Sequence, residues 1–252
     1  MNAVTNAPVA IVTGAGSGIG RAVAHALLDA GFRVALAGRR PEPLVQTAGD
    51  HRQAMTVVAD VSRAADVDAL FERTVDRWGR VDLLFNNAGI FGPAGAVDEI
   101  SLDDWTRTLD INVTGAMLCT AAAVRVMKSQ VPQGGRIINN GSISAHRPRP
   151  RSVAYAVSKH ALTGLTRATA LDGRRYGITC GQIDIGNTHT DITDHIGVGE
   201  GAEQPDGRRI VEPTFPVEEA ARAVLTMALL PPSATIGSLT ITASGMPYDG
   251  RG

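Results

Sequence analysis

The chain has 252 residues, 44% apolar and 19% charged, and its 24 Lys and Arg nearly balance its 25 Asp and Glu. That composition excludes global disorder, and a net charge of −1 supplies neither a basic field for nucleic acid nor a polybasic arm for a membrane. Two cysteines, Cys119 and Cys180, make no disulfide framework, cannot by themselves close a tetrahedral zinc site, and read as small core residues. No apolar run approaches the length of a membrane span, and the first residues lack the basic start and apolar stretch of a signal peptide. The expectation is a cytoplasmic protein that binds no metal, nucleic acid or membrane.

In chain order, short apolar runs alternate with helical periodicity. Val9 to Thr13 is a buried strand, a glycine cluster follows, and AVAHALLDAGF is a helix stopped at Gly31. Next come a strand from Arg33 to Gly38, a short helix over 41–50 and a strand from Met55 to Asp60. A helix over 63–78, a strand from Val81 to Asn87, and one long helix over 102–129 follow. The remaining strands are Gly134 to Ser142, Ile178 to Asp184 and Ser238 to Ala243, separated by helices over 153–176 and 217–230. Strands that are apolar throughout suit a parallel sheet covered on both faces. Seven of them in β-α order predict a single doubly wound α/β domain, Rossmann-type, over 1–252, with a ligand crevice at the strands' C-terminal ends. The one irregular stretch, 187–215, is expected to be a substrate lid.

Three motifs carry chemistry. Thr13-Gly14-Ala15-Gly16-Ser17-Gly18-Ile19-Gly20 lies between the first strand and the first helix, where backbone N–H groups and a helix N-terminus can receive a pyrophosphate. Tyr155 and Lys159, four apart, share one face of a helix. A phenol titrates near ~10, and a neighbouring ammonium favours the phenolate and brings proton transfer into range. Only two residues of the chain are lysines, so a Tyr-x3-Lys pair arises in roughly 2–3% of shuffled sequences of this composition. The other, Lys128, reads as solvated surface. Ser142 ends the fifth strand, where its hydroxyl can bond a carbonyl oxygen or merely cap the next segment. Asn112, amid a long helix, disfavours that helix and either serves the site or bonds neighbouring backbone.

Together with Asp60-Val61 and Asn86-Asn87-Ala88-Gly89, these residues resemble the short-chain dehydrogenase/reductase family, in its branch of roughly 250 residues, over essentially the whole chain. The resemblance implies an oxidoreductase that interconverts a secondary alcohol and a ketone by hydride transfer with a nicotinamide cofactor, working as a homotetramer on a small carbonyl or alcohol substrate. It implies Tyr155 as general acid in reduction and base in oxidation, with Lys159 lowering its pKa and holding the nicotinamide ribose. Ser142 would orient the substrate oxygen, and Asn112 would hold a water in a relay behind Lys159. The cofactor would lie along Gly14, Ser17, Gly18, Ile19 and Gly20, then Asp60 and Val61, then Asn87, Ala88 and Gly89, with Ile185, Gly186 and Thr188 at the carboxamide. A catalytically silent NAD(P)-binding regulator of the same fold is the alternative.

Where NAD-specific relatives carry an acidic residue at the end of strand two, this chain has Gly38, Arg39 and Arg40. A guanidinium suits a 2′-phosphate, so NADP(H) is preferred, with NAD(H) as the alternative. Three features depart from the family pattern. Gln182-Ile183-Asp184-Ile185-Gly186 stands where many relatives have Pro-Gly after strand six, with Asp184 either at the site's floor or part of a turn. His146, Arg147, Arg149 and Arg151 form a basic loop before Tyr155 that either attracts an anionic substrate or is solvated. The chain end has an unusual sequence, whose Tyr248 and Arg251 the resemblance would direct toward a neighbour's site.

Overall fold

In the computed structural model, residues 7–188, 201–246 and 248 are described. Seven parallel strands form one sheet in the order β3-β2-β1-β4-β5-β6-β9. They are β1 (Val9–Thr13), β2 (Arg33–Gly38), β3 (Ala54–Val58), β4 (Leu83–Asn86), β5 (Gly135–Asn140), β6 (Ile178–Ile185) and β9 (Ser238–Ile241). Also among the described residues, β7 (Ala202–Glu203) and β8 (Arg209–Ile210) make a separate antiparallel ribbon. The order reverses between β1 and β4, which opens a crevice at the strands' C-terminal ends.

Uninterrupted apolar strands follow from burial on both faces. In β1, Ala10 and Val12 face one core and Ile11 the other. The first core holds Val23, Leu27 and Leu28 of α1 (Gly18–Asp29), Leu44 of α2 (Pro41–Ala48), and Val224 and Met227 of α7 (Val217–Ala228). The second is filled by Leu70 and Phe71 of α3 (Ala64–Trp78), and by Cys119, Ala122, Ala123 and Met127 of α5 (Gly115–Ser129). Burial pushes both thiols up to about 12, so Cys119 and Cys180 are apolar filling.

The single helix expected over 102–129 is instead three pieces: α4 (Leu102–Leu109), a π-helical turn over Asp110–Thr114, and α5. The wide turn accommodates Asn112, whose side chain points inward. The whole stretch Leu102–Ser129 has the length and apolar composition of a membrane span, contrary to the sequence expectation, because α5 supplies an inner layer against the sheet. The helix α6 (Val153–Gly173) ends in a 3₁₀ turn, and Gly177 then takes the left-handed conformation at φ 67°, where the sequence ends the helix.

Of the expected lid, residues 189–200 lie outside the described residues, and the rest carries the β7–β8 ribbon. Its two ends are tied together. The Phe215 N–H donates to the Asn187 carbonyl at 3.2 Å, and the Thr188 hydroxyl donates to the Phe215 carbonyl at 2.9 Å.

Candidate active site

A cleft of about 340 Å³ runs along the C-terminal ends of the strands, from the glycine turn to Tyr155. At one end, Gly14 adopts φ +64°, and a Cβ there would sit 2.9 Å from Asn87 Nδ2. A Cβ on Gly20 would lie 2.2 Å from the Gly14 carbonyl oxygen, so the first turn of α1 closes onto the loop only because that atom is absent. Gly14, Ser17, Gly18 and Ile19 line the cleft, whereas Gly20 lies beneath it as packing. The shape suits a dinucleotide: a helix N-terminus stands over a floor kept free of side chains.

Beside the turn, Asn87 acts as a brace. Its amide donates to the carbonyls of Thr13 at 2.9 Å and Gly14 at 3.3 Å, its N–H donates to the Thr13 hydroxyl, and its Oδ1 accepts from Asn140 at 2.9 Å. Ala88 and Gly89 continue the wall. Asp60 and Val61 line the far end with the exposed Arg39 and Arg40. Burial works to raise the Asp60 pKa, but hydrogen bonds from Ser62 and the charges of Arg39 and Arg63 bring its carboxyl below the ordinary value.

At the other end, Ser142, Tyr155 and Lys159 converge. Ser142 follows β5 in an extended conformation, and its hydroxyl accepts from the Ser144 N–H at 3.1 Å and is hydrogen-bonded with Tyr155. The helix α6 carries Tyr155 and Lys159 on one face, the ammonium 5.4 Å from the phenol ring's centre. Lys159 is buried and donates to the Asn140 carbonyl at 2.7 Å. Burial lowers its pKa to about 8 against the pull of Asp184. Burial also raises the Tyr155 phenol above its ordinary value, outweighing the Ser142 hydrogen bond and the Arg149 charge, while Asp184 adds to the rise. Desolvation is the largest influence on the phenol in this geometry. Phe91 packs against the phenol, ring centres 4.9 Å apart.

Asn112 stands one layer behind. Its Oδ1 accepts from the Ile90 N–H at 2.8 Å, and its amide donates to the Ile90 carbonyl at 2.8 Å and to Ser158 at 3.0 Å. The side chain therefore ties the loop after β4 to α6. Ile185, Gly186 and Thr188 all line the cleft.

Sequence reasoning missed Asn140, which presents its carbonyl to Lys159 and its amide to Asn87, and Asn187, which lines the cleft. The paired asparagines at the ends of β4 and β5 were the available signal, because polar residues closing apolar strands need partners. In the basic loop, His146 meets Asp184, Arg149 is ion-paired with the fully buried Glu212, and Arg151 meets Glu99 at 2.8 Å. Arg149 does line the cleft, but a carboxylate already balances its charge. Tyr248 packs within its own chain beside Ile143 and Met246, and Arg251 lies outside the described residues.

The family model for short chain dehydrogenase matches residues 8–200. A 3beta-hydroxysteroid dehydrogenase of Mediterraneibacter gnavus is 38% identical over 192 residues, 74% of this chain and 68% of that one. A 3-ketoacyl-(acyl-carrier-protein) reductase from Brucella melitensis, solved with NADH, superposes with a TM-score of 0.85 at 27% identity, covering 94% of this chain and 97% of its own. An actinorhodin polyketide ketoreductase solved with NADPH gives 0.81 at 28% identity, covering 94% and 96%. With its glycine turn, its cleft at the sheet's reversal point and these relatives, the chain belongs to the short-chain dehydrogenase/reductase family as an NAD(P)-dependent oxidoreductase.

Proposed function

We propose that this enzyme interconverts a secondary alcohol and a ketone, with Tyr155 as general acid in reduction and general base in oxidation. The observation that carries this reading is the meeting of the Ser142 hydroxyl, the Tyr155 phenol and the Lys159 ammonium at the end of the cleft opposite the glycine turn. A nicotinamide cofactor held along Gly14, Ser17, Gly18 and Ile19 and beside Lys159 would supply the hydride chemistry for this interconversion. Ser142 and Tyr155 hold the oxygen of that bond between two hydroxyls. In reduction the phenol donates its proton as negative charge develops on that oxygen; in oxidation it withdraws the proton. The phenol is protonated at neutral pH, as a proton donor in reduction must be. Lys159, held by the Asn140 carbonyl, places a cation beside the phenolate that forms. Phe91, Ile143 and Ile185 keep that end apolar, which strengthens these interactions by excluding water.

For the cofactor, Arg39 and Arg40 flank the far end of the cleft, where a 2′-phosphate would meet two guanidinium groups, and this supports NADP(H) over NAD(H). The segment 187–215 serves as the lid, pinned at its base by Thr188 and Phe215. A cytoplasmic homotetramer completes the reading, and light scattering behind size-exclusion chromatography checks the assembly.

The deciding experiment is nicotinamide turnover against a panel of ketones and secondary alcohols, with NADPH and NADH in parallel and Tyr155→Phe as control. Turnover that favours NADPH and disappears in the control is the expected result. Tight cofactor binding without turnover on the panel overturns it in favour of a silent regulator.

A further inference from the structure

Asp184 sits at the C-terminal end of β6 with no solvent exposure. A buried carboxylate costs several kcal/mol of lost hydration unless donors surround it. Here three do. Oδ1 accepts from the Ser142 backbone N–H at 3.0 Å and from the Gln182 amide at 2.7 Å, and Oδ2 meets His146 Nε2 at 2.9 Å. Gln182 is itself anchored to α6, donating to the Thr163 hydroxyl at 3.1 Å and accepting from Thr166 at 3.3 Å. The approach is possible because residue 141 is glycine: a Cβ there would lie 2.0 Å from Asp184 Oδ1 and 2.8 Å from Gln182 Nε2. The network therefore ends on the backbone of the residue whose hydroxyl is bonded with Tyr155. Neither Asp184 nor His146 lines the cleft.

We propose that Asp184 is a positioning residue: its carboxylate, anchored by Gln182 and His146, holds the Ser142 backbone so that the hydroxyl meets Tyr155 and the substrate oxygen. This rests on the reading of Ser142 and Tyr155 given above. The same carboxylate has an electrostatic consequence. Among the described residues, the charged and titratable groups about Tyr155 are Lys159 on its own helix, Arg149 from the basic loop and Asp184 from β6, the last with His146 against its outer oxygen. Asp184 supports the Lys159 ammonium against burial and adds a smaller push to the rise of the phenol that burial causes. The roles of hydrogen bond and charge separate in two variants. Asp184→Ala removes both; Asp184→Asn keeps an oxygen for the Ser142 and Gln182 N–H groups and removes the charge.

The experiment measures kcat and KM, cofactor affinity, hydrogen exchange at the Ser142 amide, and the ultraviolet titration of Tyr155 as the difference from Tyr155→Phe. In Asp184→Ala we expect kcat to fall about tenfold and the Ser142 amide to exchange faster, with cofactor affinity unchanged. Asp184→Asn restores most of kcat and the amide's protection, yet in it Tyr155 titrates at lower pH than in the parent protein, because the Ser142 hydrogen bond is kept and the charge is gone. Unchanged kcat and exchange in Asp184→Ala, or an Asp184→Asn no better than Asp184→Ala, overturns the proposal. If Asp184→Ala does not fold, Asp184→Asn decides through its Tyr155 titration: a downward shift supports the assignment and no shift overturns it. A parent protein without turnover defeats the alcohol/ketone reading alone, and amide exchange and titration still decide the role of Asp184.

Discussion

At the glycine-turn end of the cleft the backbone provides the site, whereas at the Tyr155 end side chains provide it. Gly14, Gly18 and Gly20 contribute no side chains to the turn, and Asn87 braces it through main-chain oxygens. At the other end Ser142, Tyr155, Lys159 and Asp184 are held by one another and by α6. The difference teaches that a cofactor shared across a family needs a conformation, which few residue types can adopt, while a reaction needs placed protons and charges. The causes of perturbed titration differ in the same way: burial dominates at the side-chain end, raising Tyr155 and lowering Lys159, whereas hydrogen bonds and charges lower Asp60 at the other.

The comparison breaks most directly at Tyr155. Tyr155→Phe is expected to lose activity by about 10²–10⁴-fold while cofactor affinity, measured by fluorescence titration, stays put. A residual rate within tenfold of the parent would show that the proton comes from elsewhere.

Lys159 offers a stability test. Its folded-state pKa is about 8 against an ordinary 10.5, so the unfolded chain binds more protons between those values. Stability contributed at this site therefore rises with pH through that window, and the burial penalty is full below it. Urea unfolding of the parent and of Lys159→Met should show the parent gaining about 3 kcal/mol on the variant between pH 7.5 and 10.5. Parallel curves would contradict the burial of a charged ammonium.

The glycine end is sharpened by Gly20→Ala. The added Cβ meets the backbone oxygen of Gly14, which cannot move without opening the turn. A loss of about 2 kcal/mol is expected, read as a melting temperature lower by roughly 5 °C, together with weaker binding of either cofactor. The smallest effect is at the rim. Arg39→Ser should weaken NADPH about tenfold and leave NADH unchanged. Equal change for both cofactors would return Arg39 to the general surface.

Legibility differed along the chain for a physical reason. The strands were readable because burial on both faces requires continuous apolar runs, as in β1 and β2. Interruptions were harder: Asn112 signalled trouble in a helix, but only packing shows that a π turn resolves it and that Ile90 and Ser158 take its amide. The basic loop read as a cluster of charge, yet His146, Arg149 and Arg151 each found a carboxylate from a different part of the chain. Asp184 read as a polar group on a floor or in a turn, and its partner Ser142 is 42 residues away.

What the amino-acid sequence determined by itself is the alternation of strands and helices, the glycine turn and the Tyr155–Lys159 spacing. Each depends on residues within a few positions of one another, so local geometry suffices to read it. The tertiary structure alone decided which polar groups meet: Asn87 with Asn140, Lys159 with the Asn140 carbonyl, and Asp184 with Ser142. Those pairings depend on strand order and on burial, which set both the partner and the strength of its field, and neither is written in any short stretch of chain.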